Sequence, residues 1–308
     1  MLDPRIAPAL ALLPPAPDRS LPAAERRRLI HDRWKAGAAA AVPTPLHEVT
    51  DVVVPGIGHD VPVRVYRPKA GLLPAVLYLH GGGWWLGGLT DTDEGARQRA
   101  LLLDAVVVSV DYRLAPEHPF PAAVDDGWAV ACWMFDNAEE LGIDAERIVV
   151  AGGSAGANIA AALTLRARDE DRCPFVAQVL EVPATDLTLE TSRGSIDEHP
   201  EGFVLSREDL VECTGWYVGD TDPRHPWISP LFGDLAGLPP AFVTTCEHDP
   251  VRDDGRAYAA KLNAAGVPTT HLEFEGQVHG SYDMAFLVPD VSARFREALV
   301  AFVGSAHS

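Results

Sequence analysis

A serine hydroxyl attacks a carbonyl carbon only when a base removes its proton and a third group holds that base in place. The sequence contains candidates for all three parts. Ser154 lies in AGGSAGANIA (151–160), one hydroxyl among residues with almost no side chain. Gly152-Gly153-Ser154-Ala155-Gly156 fits the Gly-x-Ser-x-Gly pattern, with strand-like RIVVA before it and helix-like ANIAAALTLRAR after it. That is the setting of a nucleophile elbow, a strand-to-helix turn too crowded for bulky neighbours. Downstream, Asp249 in HDPVRDDG (248–255) and His279 in GQVHGSYD (276–283) each follow an apolar run, in the chain order Ser, Asp, His that such an elbow requires. We assign His279 as the general base and Asp249 as the acid that orients it. Asp253 and Asp254 compete for the acid's place, although they also suit the first turn of a helix. His248 adjoins Asp249 and His271 falls inside a strand-like run, whereas His279 stands in a glycine-flanked loop.

A second glycine cluster, His80-Gly81-Gly82-Gly83-Trp84, follows the strand-like run AVLYL. A dinucleotide fingerprint fails here, because Leu86 or Trp84 stands where a glycine is required. Acyl transfer develops negative charge on the former carbonyl oxygen, and backbone amides surround it only where side chains leave room. The cluster therefore reads as an oxyanion hole, in which each donor is typically worth about 100- to 1000-fold in rate. Trp84 and Trp85 come next and are candidates to line a substrate pocket, one of them packing inward.

Loops of this kind need a scaffold, and the chain alternates strand-like with helix-like texture. TDVVV and VPVRVYRP flank a glycine-containing turn and read as an antiparallel hairpin. Runs at 75–80, 105–112, 147–152, 176–183, 241–247 and 270–275 read as further strands, giving eight in all. Helical patterns near 93–103, 121–141, 155–168, 253–265 and 291–303 separate them. Nearly continuous apolar strands alternating with helices imply an α/β fold, a mostly parallel sheet with helices on both faces. Candidate residues then fall at the C-terminal ends of strands, where such sheets build sites. Residues 184–239 break the rhythm, offering the helix SREDLVECTGWYV without a clear strand. With an N-terminal helix over about 21–40, in which Leu29, Ile30 and Trp34 share a face, this insertion is expected to form a lid or cap.

Composition narrows the function classes. Of 308 residues, 47 % are hydrophobic and 22 % charged, as in globular proteins. A formal net charge of −19 opposes nucleic acid and anionic membranes as partners. None of the lysines follows a glycine, which excludes a Walker-type phosphate loop. Cys132, Cys173, Cys213 and Cys246 are widely spaced, without metal-ligand pairing, and read as reduced thiols of a cytoplasmic protein. The apolar N-terminal run is short and proline-broken, a poor secretory signal, and no apolar stretch reaches membrane-spanning length.

Taken together, HGGGWWLG (80–87), DYRLAPEHPFPAAVDD (111–126), GGSAGAN (152–158), WISPLFGDLAGLPPAFV (227–243), HDPVRDDG and VHG (278–280) resemble the hormone-sensitive-lipase-like family of α/β-hydrolases, of bacterial carboxylesterase type. The resemblance implies an α/β-hydrolase fold with a helical cap from residues 1–45 and 184–225 over a catalytic domain of 46–183 and 226–308. It implies Ser154, Asp249 and His279 as the triad and the amides of Gly82, Gly83 and Ala155 as the oxyanion hole. Trp34, Phe203, Leu205, Trp216 and Tyr217 of the cap become candidates for substrate contact, and His80 is expected to orient the glycine loop. The chain departs from the family at Gly153, where Asp, Glu or Thr is common, and at Ala157, where a third glycine is common. The expected activity is hydrolysis of carboxylic esters with short or medium acyl groups, without metal or organic cofactor. Lactone, amide or carbamate hydrolysis by the same groups, or a noncatalytic small-molecule receptor, are the alternatives. Pairing of two chains through the last strand into a homodimer is left open.

Overall fold

Short runs of valine, isoleucine and leucine fit a pleated surface buried on both faces, and here they assemble one sheet. The computed structural model describes residues 1–12, 14–38, 42–199 and 204–307. Among these, eight strands form a single sheet in the order β1-β2-β4-β3-β5-β6-β7-β8. β1 (Glu48–Pro55) and β2 (Asp60–Arg67) make the expected antiparallel hairpin, and β2 runs antiparallel to β4 (Val106–Val110). β3 (Leu73–Leu79), β5 (Ile143–Gly153), β6 (Ala177–Glu181), β7 (Ala241–His248) and β8 (Thr269–Val278) complete a parallel set with β4.

The alternation of the strands sorts the core into two layers. Val106, Val108 and Val150 face α4 (Ala122–Asp136), α5 (Ala155–Asp169) and α8 (Arg252–Ala264). Val107, Val149 and Phe242 face α3 (Asp93–Leu103) and α9 (Pro289–Ala306). Helices thus cover both faces, as the continuous apolar strands require.

The remaining helices lie outside this scaffold: α1 (Ile6–Leu10), α2 (Ala23–Ala38), α6 (Arg193–Glu198) and α7 (Arg207–Val218). Neither α1 nor α6 has enough turns to register as a sequence period. In α2 the expected apolar stripe is only half right. Leu29 and Ile30 are half-buried and Trp34 is exposed, while Arg26 is the residue sunk into the protein. Its guanidinium donates to both carboxylate oxygens of Glu212 on α7, at 2.7 and 2.8 Å, and stacks over Trp85 and Trp216. Arg27 donates to the carbonyls of Trp85 and Ala115. The four cysteines are free thiols, as expected, and Cys132 on α4 and Cys173 after α5 lie with their sulfurs 3.5 Å apart, a proximity that sequence spacing does not reveal.

Buried polar groups anchor the insertion between β6 and β7. Asn158 on α5 donates to the carbonyls of Ala184 and Ile228, clasping both ends of the excursion. Asp254, fully buried at the start of α8, accepts the amides of Thr185 and Asp186 at 2.9 and 3.0 Å and the Ser192 hydroxyl. Burial pushes its carboxyl up to about 7 from an ordinary 3.8. The folded chain therefore holds this proton where the unfolded chain has released it. The stabilisation is complete below the unfolded value and is lost as pH rises toward the folded one. Relative to Asp254→Asn, the wild type is expected to lose stability between roughly pH 4 and pH 7 in urea-melting midpoints. Parallel midpoint-versus-pH curves for the two proteins would contradict this.

Candidate active site

β5 ends at Gly153 and α5 begins at Ala155, so Ser154 alone makes the turn. Its backbone is held at φ 54°, ψ −117°, a conformation that side chains rarely adopt and that persists only when the surroundings enforce it. The surroundings are backbone. A Cβ on Gly156 would sit 2.0 Å from the Leu79 carbonyl oxygen, and one on Gly152 would sit 2.3 Å from the Gly156 backbone. The Ser154 amide donates to the Glu181 carbonyl on β6 at 2.7 Å, which fixes the turn from the other side. The first amides of α5, including that of Ala155, have no acceptor inside the helix and lie at its positive end.

The glycine loop packs directly on this elbow. A Cβ on Gly81 would come within 3.0 Å of the Gly153 carbonyl oxygen. Gly82 has φ 120° and Gly83 φ 59°, both in the left-handed region, and the Gly82 carbonyl accepts the amides of Trp85 and Leu86. His80 is fully buried, stacked on Tyr112 with ring centroids 4.2 Å apart. Its Nδ1 lies 2.8 Å from the Gly81 carbonyl oxygen, an atom that only accepts, so Nδ1 carries the proton. Burial pushes the His80 imidazole down to about 4, which keeps it neutral and structural near pH 7. The Tyr112 hydroxyl donates to the His80 carbonyl at 2.7 Å. The segment that begins with Tyr112 thereby braces the glycine loop. Its Ala115 amide donates to the Trp84 carbonyl, and its Phe120 amide to the Tyr217 carbonyl of α7.

Asp249 follows β7 and His279 follows β8, neighbours in the sheet. His279 Nδ1 and Asp249 Oδ2 are 2.8 Å apart, while Asp249 Oδ1 accepts the Val251 amide at 3.0 Å. The carboxylate is fully buried, so its orientation is fixed. Asp253 is occupied elsewhere, accepting from the Ser195 amide and from Arg252, as a helix-start residue does.

Ser154, His279, Gly82 and Gly83 all line one cavity of about 510 Å³. Its wall is largely apolar, with Ile30, Trp34, Trp85, Leu86 and Leu205 among the lining residues. The expectation for Trp84 is corrected: it is buried and stacks on Tyr217 at 4.7 Å, because Gly83 turns the chain before it and Trp84 itself has φ 61°. Tyr217 is correspondingly core, and Trp216 meets Trp85 edge-on. Phe203 lies outside the described residues. Sequence reasoning missed Glu181, a buried carboxylate in the cavity wall 2.7 Å from Arg99 of α3. Burial pushes its carboxyl up, and Arg99 pulls the other way. A charged residue closing an apolar strand was the available signal.

Comparison with known proteins follows the same line. A family model described as the alpha/beta hydrolase fold matches residues 76–283. The carboxylesterase NlhH of Mycobacterium tuberculosis is 45 % identical over 256 residues, 81 % of this chain and 80 % of its own. An arylesterase of Saccharolobus solfataricus is 40 % identical over 78 % of this chain and 79 % of its own. The solved structure of a Pyrobaculum calidifontis esterase superposes with a TM-score of 0.89 at 37 % identity, covering 100 % of this chain and 98 % of that one.

The elbow glycines separate into two kinds, and substitution distinguishes them. Gly156→Ala is expected to destabilise the protein by about 3 kcal/mol or more, because backbone cannot retreat from a new methyl. A Cβ at Gly153 meets nothing within 4 Å, so Gly153→Ala is expected to stay within about 1 kcal/mol of the wild type in urea melts. Equal losses at the two positions would refute the packing described.

Proposed function

The chain belongs to the α/β-hydrolase family and is a carboxylic ester hydrolase, and from that premise we propose that Ser154, His279 and Asp249 are its nucleophile, general base and orienting acid. The observation that carries the assignment is the 2.8 Å contact between His279 and Asp249, with the same imidazole and Ser154 facing one cavity. In this scheme Asp249 accepts a hydrogen bond from Nδ1–H of His279, which keeps the proton there and leaves Nε2 to take the proton of Ser154 Oγ. Attack on the ester carbonyl forms a tetrahedral intermediate whose oxyanion is held by the amides of Gly82, Gly83 and Ala155. His279 then returns the proton to the leaving alcohol. Water activated by the same imidazole releases the acid from the acyl-enzyme. No step calls on a metal or an organic cofactor.

The cavity volume and apolar wall support esters with short or medium acyl groups as substrates. Residues 1–45 and 184–225 act as the cap over this cavity in our reading, supported by the Arg26–Glu212 pair that joins α2 to α7 and by the lining residues both supply. Among the described residues no helix is long and apolar enough to cross a membrane. We assign the protein to the cytoplasm, on the free thiols of its four cysteines. β8, at the edge of the sheet, is the strand through which two copies would pair as a homodimer.

Kinetics on a chromogenic acetyl ester test the scheme. Ser154→Ala is expected to lower kcat by about a million-fold and Asp249→Asn by about ten-thousand-fold. Asp253→Asn, altering the rejected acid, is expected to keep kcat within about threefold. Comparable losses in the two aspartate variants, or a fully active Ser154→Ala, would refute the assignment.

A further inference from the structure

Gly152 and Gly156 are glycine because neighbouring backbone leaves no room, but Gly153 is under no such pressure. Its φ lies outside the left-handed region, and a Cβ there would meet nothing within 4 Å. The space it leaves open is part of the cavity that Gly153 and Ser154 line. Directly across the ladder from Gly153 stands Glu181, its register partner on β6. Such partners project their side chains on the same face of a sheet, so the bare position and the carboxylate adjoin. Glu181 is 6 % exposed and lines the same cavity, next to the apolar Val182.

The carboxylate is built in rather than incidental. Arg99, itself 8 % exposed, places Nη2 2.7 Å from Glu181 Oε1 and lies over the Tyr78 ring at 4.8 Å. Arg99 thus takes up Oε1, Tyr282 stands beside the same carboxylate, and both Glu181 and Tyr282 line the cavity. A carboxylate held in place by its ion pair and lining a largely apolar cavity is positioned to accept from a donor that enters there.

We propose that Glu181 is a substrate-recognition residue, accepting a hydrogen bond from a hydroxyl on the part of the ester that lies over Gly153. The preferred substrates are hydroxyl-bearing esters. A hydroxyl fits better than an ammonium because Arg99 already neutralises Glu181, and a cation entering there would lose its water without gaining an unpaired counter-charge. Gly153 has the complementary task of leaving the approach clear. The inference rests on the ester-hydrolase site proposed above and specifies its substrate class.

The test measures kcat/KM by pH-stat on the full-length protein with ethyl butanoate, ethyl 3-hydroxybutanoate and 2-hydroxyethyl butanoate. The two hydroxy esters place the donor on the acid or on the alcohol side. The wild type is expected to prefer one hydroxy ester over the plain ester by about 10- to 100-fold, the range for a hydrogen bond to a charged group. Glu181→Gln is expected to reduce that preference at least several-fold. The double variant Arg99→Met/Glu181→Leu, which leaves no unpaired buried charge, is expected to abolish it. Gly153→Val, which fills the approach, is expected to reduce it as well. A wild type that cleaves ethyl butanoate and both hydroxy esters equally overturns the inference, as does a preference unchanged in both Glu181 variants. Failure to cleave any of the esters would instead overturn the catalytic reading beneath it.

Discussion

Around Ser154, backbone touches backbone. The Cα of Gly156 faces the carbonyl oxygens of Leu79 and His80 at the end of β3, and the Cα of Gly152 faces Gly156 across the turn. Any side chain at these positions would push α5 off the sheet and relax the serine out of its left-handed backbone. Because the elbow is this tight, α5 starts directly after Ser154, and the loop after β3 can lie against Gly153 with only glycine between them. The strained turn at Ser154, the helix start and the packed glycine loop are thus three consequences of one steric constraint.

The other chemical groups reach this point through sheet order rather than through local sequence. β7 and β8 are neighbours, so the residues that follow them, Asp249 and His279, meet at hydrogen-bond distance although thirty positions separate them. β6 lies between β5 and β7, and the long insertion leaves the sheet after β6. It is fastened to the scaffold through Asn158 and Asp254, buried polar side chains that bond its backbone. Arg26 and Arg27 hold α2 over the same opening by bonds to α7 and to the glycine loop. Polar groups therefore fasten the outer helices to an apolar core, and the cavity sits where the two meet.

Much of this was legible in the sequence because it rests on periodic patterns and short motifs. All eight strands announce themselves as β-branched runs, and Asp93–Leu103 reads as a helix to the residue. The elbow and the glycine loop are legible because only glycine tolerates their geometry. What the sequence concealed depends on distant contacts. Arg26 looks like one of several exposed arginines until Glu212 arrives from α7, and Trp84 is indistinguishable from Trp85 until the turn at Gly83 points one inward. Cys132 and Cys173 belong to separate elements that only packing brings together. Glu181 resembles the end of an apolar strand, and its neighbours Gly153 and Arg99 come from two other elements.

The central claim is that the Ser154 hydroxyl faces an oxyanion site formed by the amides of Gly82, Gly83 and Ala155. A crystal structure of the protein after reaction with an alkyl phosphonate ester tests it most directly. The account predicts a covalent bond from phosphorus to Ser154 Oγ, with the phosphoryl oxygen within about 3 Å of at least two of those amide nitrogens. Phosphorus bound to another residue, or a phosphoryl oxygen turned away from the glycine loop, would contradict it.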